Sequence, residues 1–324
     1  MLKSKSLFWL IMMIGTILVL SSNNWISMWM GLEINLMAFI PLMNYNNKLS
    51  SESMMIYLLT QSASSMLLMF SIIMLNMTMN EMFNNLTLIS LLIKLGAAPF
   101  HMWLPEILTK MNWITGVVIM TWQKMAPMMM INNLNTNNVI MYSSIILSVI
   151  VGTLGGLNQM SLRKIMAYSS INHLGWMMMM VKTKNNWLIY LMIYSMMIMI
   201  MCWMFHQYNL IHINQINNLN VTMMEKMNYM VSMLSLGGLP PFLGFLPKWL
   251  VIQTMMNNNL IMMLLIMVTC SLLSLFYYMR TMTLMMMTFS TMNKWIMIKS
   301  NPNMLFTMMM VNFSLPFILI MNLF

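Results

Sequence analysis

The stretch GGLPPFLGFLPKW, residues 237–249, carries three prolines, three glycines and one lysine between long apolar runs. A helix that only crosses a membrane needs none of these, and proline breaks a helix because it lacks the backbone N–H and clashes with the preceding turn. The stretch PFHMWLPE, residues 99–106, shares with residues 241–248 the pattern Pro-Phe-x-x-aromatic-Leu-Pro-charge. The sequence therefore predicts two broken helices, with breaks at Pro99 and Pro105 and at Pro240, Pro241 and Pro247.

Composition places the whole chain in a membrane. Of its 324 residues, 60% are hydrophobic and only 6% are charged, and the mean hydropathy is +0.76. A soluble domain has roughly a quarter of its residues charged, so this chain cannot coat a water-facing surface. We predict an all-α polytopic membrane protein that forms a single integral membrane domain over residues 1–324.

Apolar windows of about 20 residues predict eleven membrane spans. The first resembles a signal peptide, but it lacks a small-x-small cleavage site, and we interpret it as a retained helix. The predicted spans are 6–22, 25–43, 54–75, 86–104, 113–132, 139–157, 163–181, 187–208, 226–255 (interrupted), 259–279 and 304–323.

Broken helices at matching positions of two halves are typical of transporters built from repeats. We predict repeat halves at 25–157 and 163–279, followed by a C-terminal helix at 304–323. The second broken span comes five spans after the first, and this odd offset predicts that the halves are inverted relative to each other. Backbone groups freed at membrane depth have to line a hydrated cavity or be buried in protein.

The lysines and arginines outside the spans or at their ends predict the orientation. Ten lie on the side of the N-terminus and two, Lys182 and Lys184, on the other, which predicts an inner N-terminus and an outer C-terminus. Topology accounts for most of the net charge of +10, so the charge does not imply a nucleic-acid partner. The ten are Lys3, Lys5, Lys48, Lys110, Arg163, Lys164, Lys226, Arg280, Lys294 and Lys299.

Four charged residues lie inside predicted spans and away from the span ends: Glu33, Lys94, Lys124 and Lys248. A charge at the centre of a bilayer costs at least ~2.5–3.5 kcal/mol, so we expect these groups to face the protein interior, paired or hydrated. Snorkelling to the interface is the alternative for Lys124 and Lys248. Glu33 and Lys94 have opposite charges and are compatible with an ion pair across helices. Buried acids and bases joined by water conduct protons, which makes proton transfer the leading hypothesis.

Two histidines extend this hypothesis. His173 lies within a span next to Ser169 and Ser170, and its titration range suits proton relay. A hydrogen bond to a neighbouring helix is the alternative role for this side chain. His101 adjoins the first predicted break and is the second candidate for relay.

The sequence contains no motif for a redox cofactor, a metal ion or a nucleotide. Cys202 and Cys270 lie singly in apolar runs, without CxxC spacing or a histidine cluster, which argues against a disulfide, zinc or iron–sulfur site. The run GTLGGL, residues 152–157, follows no strand pattern and predicts close helix packing instead.

Methionine is unusually frequent, with 57 of 324 residues. It replaces leucine at little cost, because it is a flexible apolar filler. The bias is typical of an AT-rich genome whose code reads an extra codon as methionine, as animal mitochondrial genomes do. We therefore predict the mitochondrial inner membrane, with the N-terminus in the matrix and the C-terminus in the intermembrane space.

Five segments of the chain are GLEINLMAFIP, KLGAAPFHMWLPEI, TWQKMAP, SLRKIMAYSSINHLGW and SLGGLPPFLGFLPKW. Together they span residues 31–249 and resemble the antiporter-like membrane subunits of respiratory complex I. The resemblance implies eleven helices with two inverted five-helix repeats and two broken helices. It also implies a hydrophilic axis in which Glu33 and Lys94 form an ion pair. Lys124 would be the central lysine of that axis, and Lys248 the lysine at the second break.

The family couples NADH oxidation by ubiquinone to proton translocation. The resemblance thus implies a core membrane-arm subunit that carries protons but no cofactor, with NADH, FMN, iron–sulfur clusters and ubiquinone bound elsewhere in the complex. The expected partners are other membrane-arm and accessory subunits, membrane lipids, protons and internal water. Two alternatives stay open: a free-standing cation/proton antiporter of the same fold, and a spacer subunit whose charges only hold water.

Overall fold

The computed structural model describes six segments of the chain, which are almost entirely helical. The end of the last predicted span, residues 317–324, lies outside the described residues, as do residues 288–301. The described segments are 2–44, 48–78, 81–134, 138–218, 222–287 and 302–316.

The described residues form helices α1 to α14 and a 3-10 helix at Ile213–Asn218. The first seven are α1 Leu2–Ser21, α2 Trp25–Met43, α3 Lys48–Thr78, α4 Glu81–Leu95, α5 Trp103–Lys110, α6 Trp113–Met120 and α7 Trp122–Asn133. The others are α8 Asn138–Leu157, α9 Leu162–Lys182, α10 Trp187–Gln207, α11 Met223–Gly237, α12 Phe245–Asn257, α13 Ile261–Met287 and α14 Pro302–Asn312.

Five helices of the described chain are long and apolar enough to cross a membrane: α2, α3, α8, α10 and α13. Each of these helices corresponds to one predicted span, and α1 and α9 correspond to two further predicted spans. The predicted spans at 86–104 and 226–255 are each divided, the first between α4 and α5 and the second between α11 and α12. The all-helical membrane fold is therefore confirmed, while the total of eleven spans stays a prediction.

The span predicted at 113–132 is wrong as a single helix, because α6 and α7 meet at Thr121. The backbone of Thr121 has φ −119° and ψ −72°. Its hydroxyl donates to the Val117 carbonyl at 2.7 Å, and a threonine that bonds back in this way often bends a helix. Six residues later, Pro127 lacks the N–H of the next turn. The bend puts Lys124 in the first turn of α7.

Helix α9 lies at the centre of the fold. It contacts α5, α7, α8, α10 and α12, and all residues from Ser169 to Val181 are buried. Its contact with α8 is close: a Cβ on Gly152 would lie 2.6 Å from the Asn172 nitrogen, and one on Gly175 would lie 2.4 Å from Val149 Cγ2. The close packing predicted for residues 152–157 is confirmed, and the polar side chains of α9 between Ser169 and His173 are enclosed by the protein.

Candidate functional site

The two predicted helix breaks have the same backbone design. Helix α4 ends just before Gly96 and α5 begins at Trp103, while α11 ends just before Gly238 and α12 begins at Phe245. Both glycines have a positive φ, 68° at Gly96 and 76° at Gly238. This left-handed conformation ends a helix and suits glycine, which has no Cβ to clash.

The five prolines divide into two groups. Pro99, Pro240 and Pro241 lie in the connecting segments, whereas Pro105 and Pro247 are each the third residue of the helix that follows. A first-turn N–H has no partner within its helix, so a proline there removes no hydrogen bond. The two glycines and the prolines of the connecting segments therefore interrupt the helices. Pro105 and Pro247 instead lie in the first turn of the helix that follows each break.

Glu33 of α2 and Lys94 of α4 form a loose ion pair. The Lys94 Nζ lies 3.9 Å from the Glu33 Oε1, and the side chains are 3% and 24% exposed, respectively. This distance is too long for a hydrogen bond, and Glu33 Oε1 has no hydrogen-bond partner among the described residues. Lys94 lies in the last turn of α4, where free carbonyl groups favour a cation.

A small polar cavity of about 20 Å³ lies between Lys94 and Lys124. Asn35, Gln61 and Gln123 are among the residues that line it. Gln123 Nε2 donates to Asn35 Oδ1 at 3.1 Å, and Gln61 Nε2 donates to the Lys94 carbonyl at 3.3 Å. A cavity needs about 10–15 Å³ to hold one water molecule, so this one has room for about one between the two lysines.

Lys124 is buried at the junction of α7 and α9. Its Nζ donates to the Ser170 carbonyl at 2.9 Å and lies 5.2 Å from the centre of the Tyr194 ring. An ammonium over an aromatic face is attracted by the negative charge of the ring face. Lys124 does not snorkel to the interface; its charge is held inside the protein.

His173 lies one turn beyond Ser170 on α9 and is buried. Its Nδ1 lies 2.9 Å from the Tyr190 hydroxyl, and its ring centre lies 4.8 Å from that of Tyr194. The imidazole also hydrogen-bonds the backbone of Leu236, at the end of α11. His173 thus connects the region around Lys124 with the second break.

Lys248 is buried in the first turn of α12. Its Nζ donates to the Gly237 carbonyl at 2.8 Å and lies 5.9 Å from the centre of the Trp176 ring. A Cβ on Gly238 would come within 2.8 Å of Lys248 Cδ, so this glycine also leaves space for the lysine. Like Lys124, Lys248 is held inside the protein.

His101 lies apart from these residues. Its Nδ1 is 3.2 Å from the Pro99 carbonyl, in an exposed position at the first break. Glu106, the charge of the first motif, is exposed as well. Among the described residues, no group of three or more His, Cys, Asp or Glu is placed to hold a metal ion.

The structure brings Glu33, Lys94, Lys124, His173 and Lys248 into one row, in this order, which is buried except at the partly exposed Glu33. We call it the buried row. Sequence reasoning missed the polar neighbours that connect the row. A signal for them existed, because each is an amide or a tyrosine inside a predicted span. These neighbours are Asn35, Gln61, Gln123, Tyr190 and Tyr194.

Known proteins resemble this chain in fold and in sequence. The family model described as NADH:quinone oxidoreductase/Mrp antiporter, TM matches residues 22–274. A chain of respiratory complex I from Thermus thermophilus with bound aureothin has a TM-score of 0.83 at 21% identity, and the match covers 95% of this chain and 76% of that chain. The fold and the buried row together place this chain in the antiporter-like class of membrane proteins.

Insect relatives are more similar in sequence. NADH-ubiquinone oxidoreductase chain 2 of Anopheles gambiae is 45% identical over 311 residues, which cover 93% of this chain and 91% of that protein. The corresponding protein of Aedes aegypti is 47% identical over 314 residues, with the same two coverages. The chain therefore belongs to the NADH-ubiquinone oxidoreductase chain 2 family and is a subunit of NADH:ubiquinone oxidoreductase, complex I.

Proposed function

We propose that this subunit carries protons along the buried row, without binding a redox cofactor itself. The observation that supports the proposal is the continuity of the row. Glu33 is paired with Lys94, and Lys94 and Lys124 line one cavity of about 20 Å³. Lys124 and His173 both contact Tyr194, and His173 and Lys248 bond backbone groups of two consecutive residues, Leu236 and Gly237. Burying several charges is expensive, and a fold that only needed stability would gain little from them.

The chemistry follows from what each group contacts. Glu33 stabilises the ammonium of Lys94 while the two stay close, and separation of the pair favours release of the proton towards the cavity. Water in the cavity would pass the proton to Lys124. From there His173, which accepts and donates protons on its two ring nitrogens, relays it towards Lys248. The buried indole N–H of Trp176 has no partner among the described residues, so water beside Lys248 would also satisfy it.

The surroundings of the row are part of the proposal. We place the protein in the mitochondrial inner membrane, with the N-terminus in the matrix and two inverted repeat halves at 25–157 and 163–279. NADH, FMN, iron–sulfur clusters and ubiquinone would bind to other subunits, and neighbouring membrane-arm subunits and lipids would surround this chain. Because the chain belongs to a family of subunits of this enzyme, the free-standing antiporter is no longer needed as an alternative. The spacer subunit is the remaining alternative.

Replacing Lys124 with methionine in the assembled enzyme tests proton transfer against the spacer role. Met has a similar length and leaves no hydrogen-bonding group unsatisfied, because a helical carbonyl such as that of Ser170 keeps its backbone partner. We expect normal assembly and a loss of proton pumping on the order of 10²-fold, the contribution typical of a positioned acid or base. Native gels and proton uptake by inner-membrane vesicles measure the two quantities.

The control is Lys48→Met, which removes an exposed lysine at the start of α3. It should leave pumping and assembly unchanged. Normal pumping by an assembled Lys124→Met enzyme would reject proton transfer along the row and favour the spacer role.

A further inference from the structure

Helix α14 runs alongside the first half of the second broken helix, α11. Asn228 Nδ2 donates to the Leu305 carbonyl at 3.1 Å. Ser235 Oγ shares its one proton between the Ser232 carbonyl at 2.7 Å and Asn312 Oδ1 at 2.9 Å. The two bonds between α11 and α14 join residues 77 positions apart and lie two helical turns from each other. The two helices are therefore parallel and in register, and the second bond lies at the helix break.

Asn312 holds both sides of this break. Its side chain accepts the hydrogen bond from Ser235, in the last turn of α11, and its backbone carbonyl accepts one from the Leu243 N–H at 3.1 Å. Leu243 lies two residues before α12, so this N–H has no helical partner and is buried. A buried N–H without a partner is costly, and the free carbonyl at the end of α14 supplies one. The chain also packs on itself here, since Gly244 leaves no room for a Cβ beside the Ser235 carbonyl.

Asn312 itself is completely buried. Its Nδ2 has no hydrogen-bond partner among the described residues. Burying an amide N–H without a partner is unfavourable, so packing alone does not explain why an asparagine occupies this position. Phe313, the next residue, places its ring edge-to-face on Phe242 of the break, with 5.5 Å between the ring centres. Polar and aromatic contacts from one end of α14 thus converge on the break.

The contacts of Asn312 lead directly to the lysine. Lys248 Nζ donates to the carbonyl of Gly237, two residues after Ser235, while Lys248 itself is five residues after Leu243. The geometry of that hydrogen bond therefore depends on how the end of α11 is held against the start of α12. Asn312 contacts both ends.

We propose that Asn312 is a positioning residue that sets the distance between Lys248 and the end of α11, and so the readiness of Lys248 to take up and release a proton. The inference rests on the proposed function of Lys248 in proton transfer. It gives α14 a role in proton transfer, because a movement of this helix would reach the second break through Asn312.

The test compares Asn312→Leu with Asn228→Leu in the assembled enzyme. The two substitutions are identical in chemistry, and both remove a side-chain hydrogen bond between α11 and α14, but only one lies at the break. We expect Asn312→Leu to lower coupled NADH oxidation about 2- to 10-fold, the effect of one lost hydrogen bond, and to shift its pH profile by about half a unit or more. Asn228→Leu should leave the pH profile unchanged.

Equal pH profiles for the two leucine variants would show that Asn312 only attaches α14, and would overturn the inference. If Asn312→Leu fails to assemble, Ser235→Ala decides the question by removing the donor of the same bond: an unchanged pH profile overturns the inference, and a shifted one supports it. The Lys248→Met variant distinguishes a failure of the positioning role of Asn312 from a failure of the proposed proton transfer through Lys248. If Lys248→Met pumps normally, both proposals fall; if it does not pump and Asn312→Leu is normal, only the positioning role falls.

Discussion

The two helix breaks have matching backbones but carry their charges at different places. In the first, the buried lysine is Lys94, two residues before Gly96; in the second it is Lys248, ten residues after Gly238. The shared motif aligns Lys248 with Glu106, which is exposed. The same type of backbone break thus presents a cation at the end of the preceding helix at the first break, and at the beginning of the following helix at the second break.

The breaks also differ in what covers them. In the first, the side chains of Phe100 and Met102 are 40% and 65% exposed, and Trp103 Nε1 holds the helix end by donating to the Ile93 carbonyl at 3.1 Å. In the second, Phe242 is only 8% exposed, and the ring of Phe313, the residue after α14, packs against it. The first break is thus held by a side chain of the helix that follows it, whereas the second break is also covered by residues at the end of α14.

The largest expected effect comes from neutralising the aligned charges of the two motifs. Lys248→Gln should lower proton pumping on the order of 10²-fold, because it removes a buried acid–base group from the row. Glu106→Gln, at the matching position of the first break, should leave pumping unchanged because its side chain faces the exterior. Proton uptake by vesicles, normalised to the amount of assembled enzyme, measures both. Comparable losses in the two variants would contradict the asymmetry between the breaks.

A smaller effect is expected from alanine at the two glycines. Both substitutions force a side chain into the left-handed region, which costs about 1–2 kcal/mol and should lower the thermal stability of each variant similarly. Gly238→Ala should also lower coupled turnover several-fold more than Gly96→Ala. The reason is that its Cβ would lie 2.9 Å from Lys248 Nζ, whereas at Gly96 the nearest atom is Trp103 Cζ2 at 3.1 Å. Thermal inactivation and NADH oxidation by ubiquinone separate the two effects. Equal turnover in both variants would mean that Gly238 serves the backbone only.

Local chemistry explains what could be predicted from the sequence. The repeated proline pattern predicted both breaks, and the cost of a buried charge predicted that Lys94, Lys124 and Lys248 turn inward. The distinction between Pro99 and Pro105 was missed, because proline is compatible both with a connecting segment and with the first turn of a helix. A motif alone does not say which of the two it occupies.

Contacts between distant segments could not be predicted. Asn312 contacts Ser235 across 77 residues, and nothing in either local sequence indicates the pairing. The Thr121 hydroxyl donates to a backbone carbonyl at the bend. Threonine also occurs in straight helices, so the residue type alone did not indicate the bend. Lys124 was expected in the row, but its carbonyl partner on α9 depends on how the helices pack. The charges of the row were predictable from residue type, and the groups that hold them were not.

The smallest effect is expected from His101→Leu, at the open first break. The matching residue of the second break is Leu243, so the same backbone design already accommodates leucine there. The substitution should change coupled turnover by less than about twofold, as is usual for a surface position. His173→Leu should lower turnover much further, because this buried ring contacts Tyr190 and the end of α11. Measurements on the two assembled variants at one pH suffice. If His101→Leu lowers turnover as far as His173→Leu does, the proton path includes the exposed break, and the two breaks are more alike in function than in their coverage.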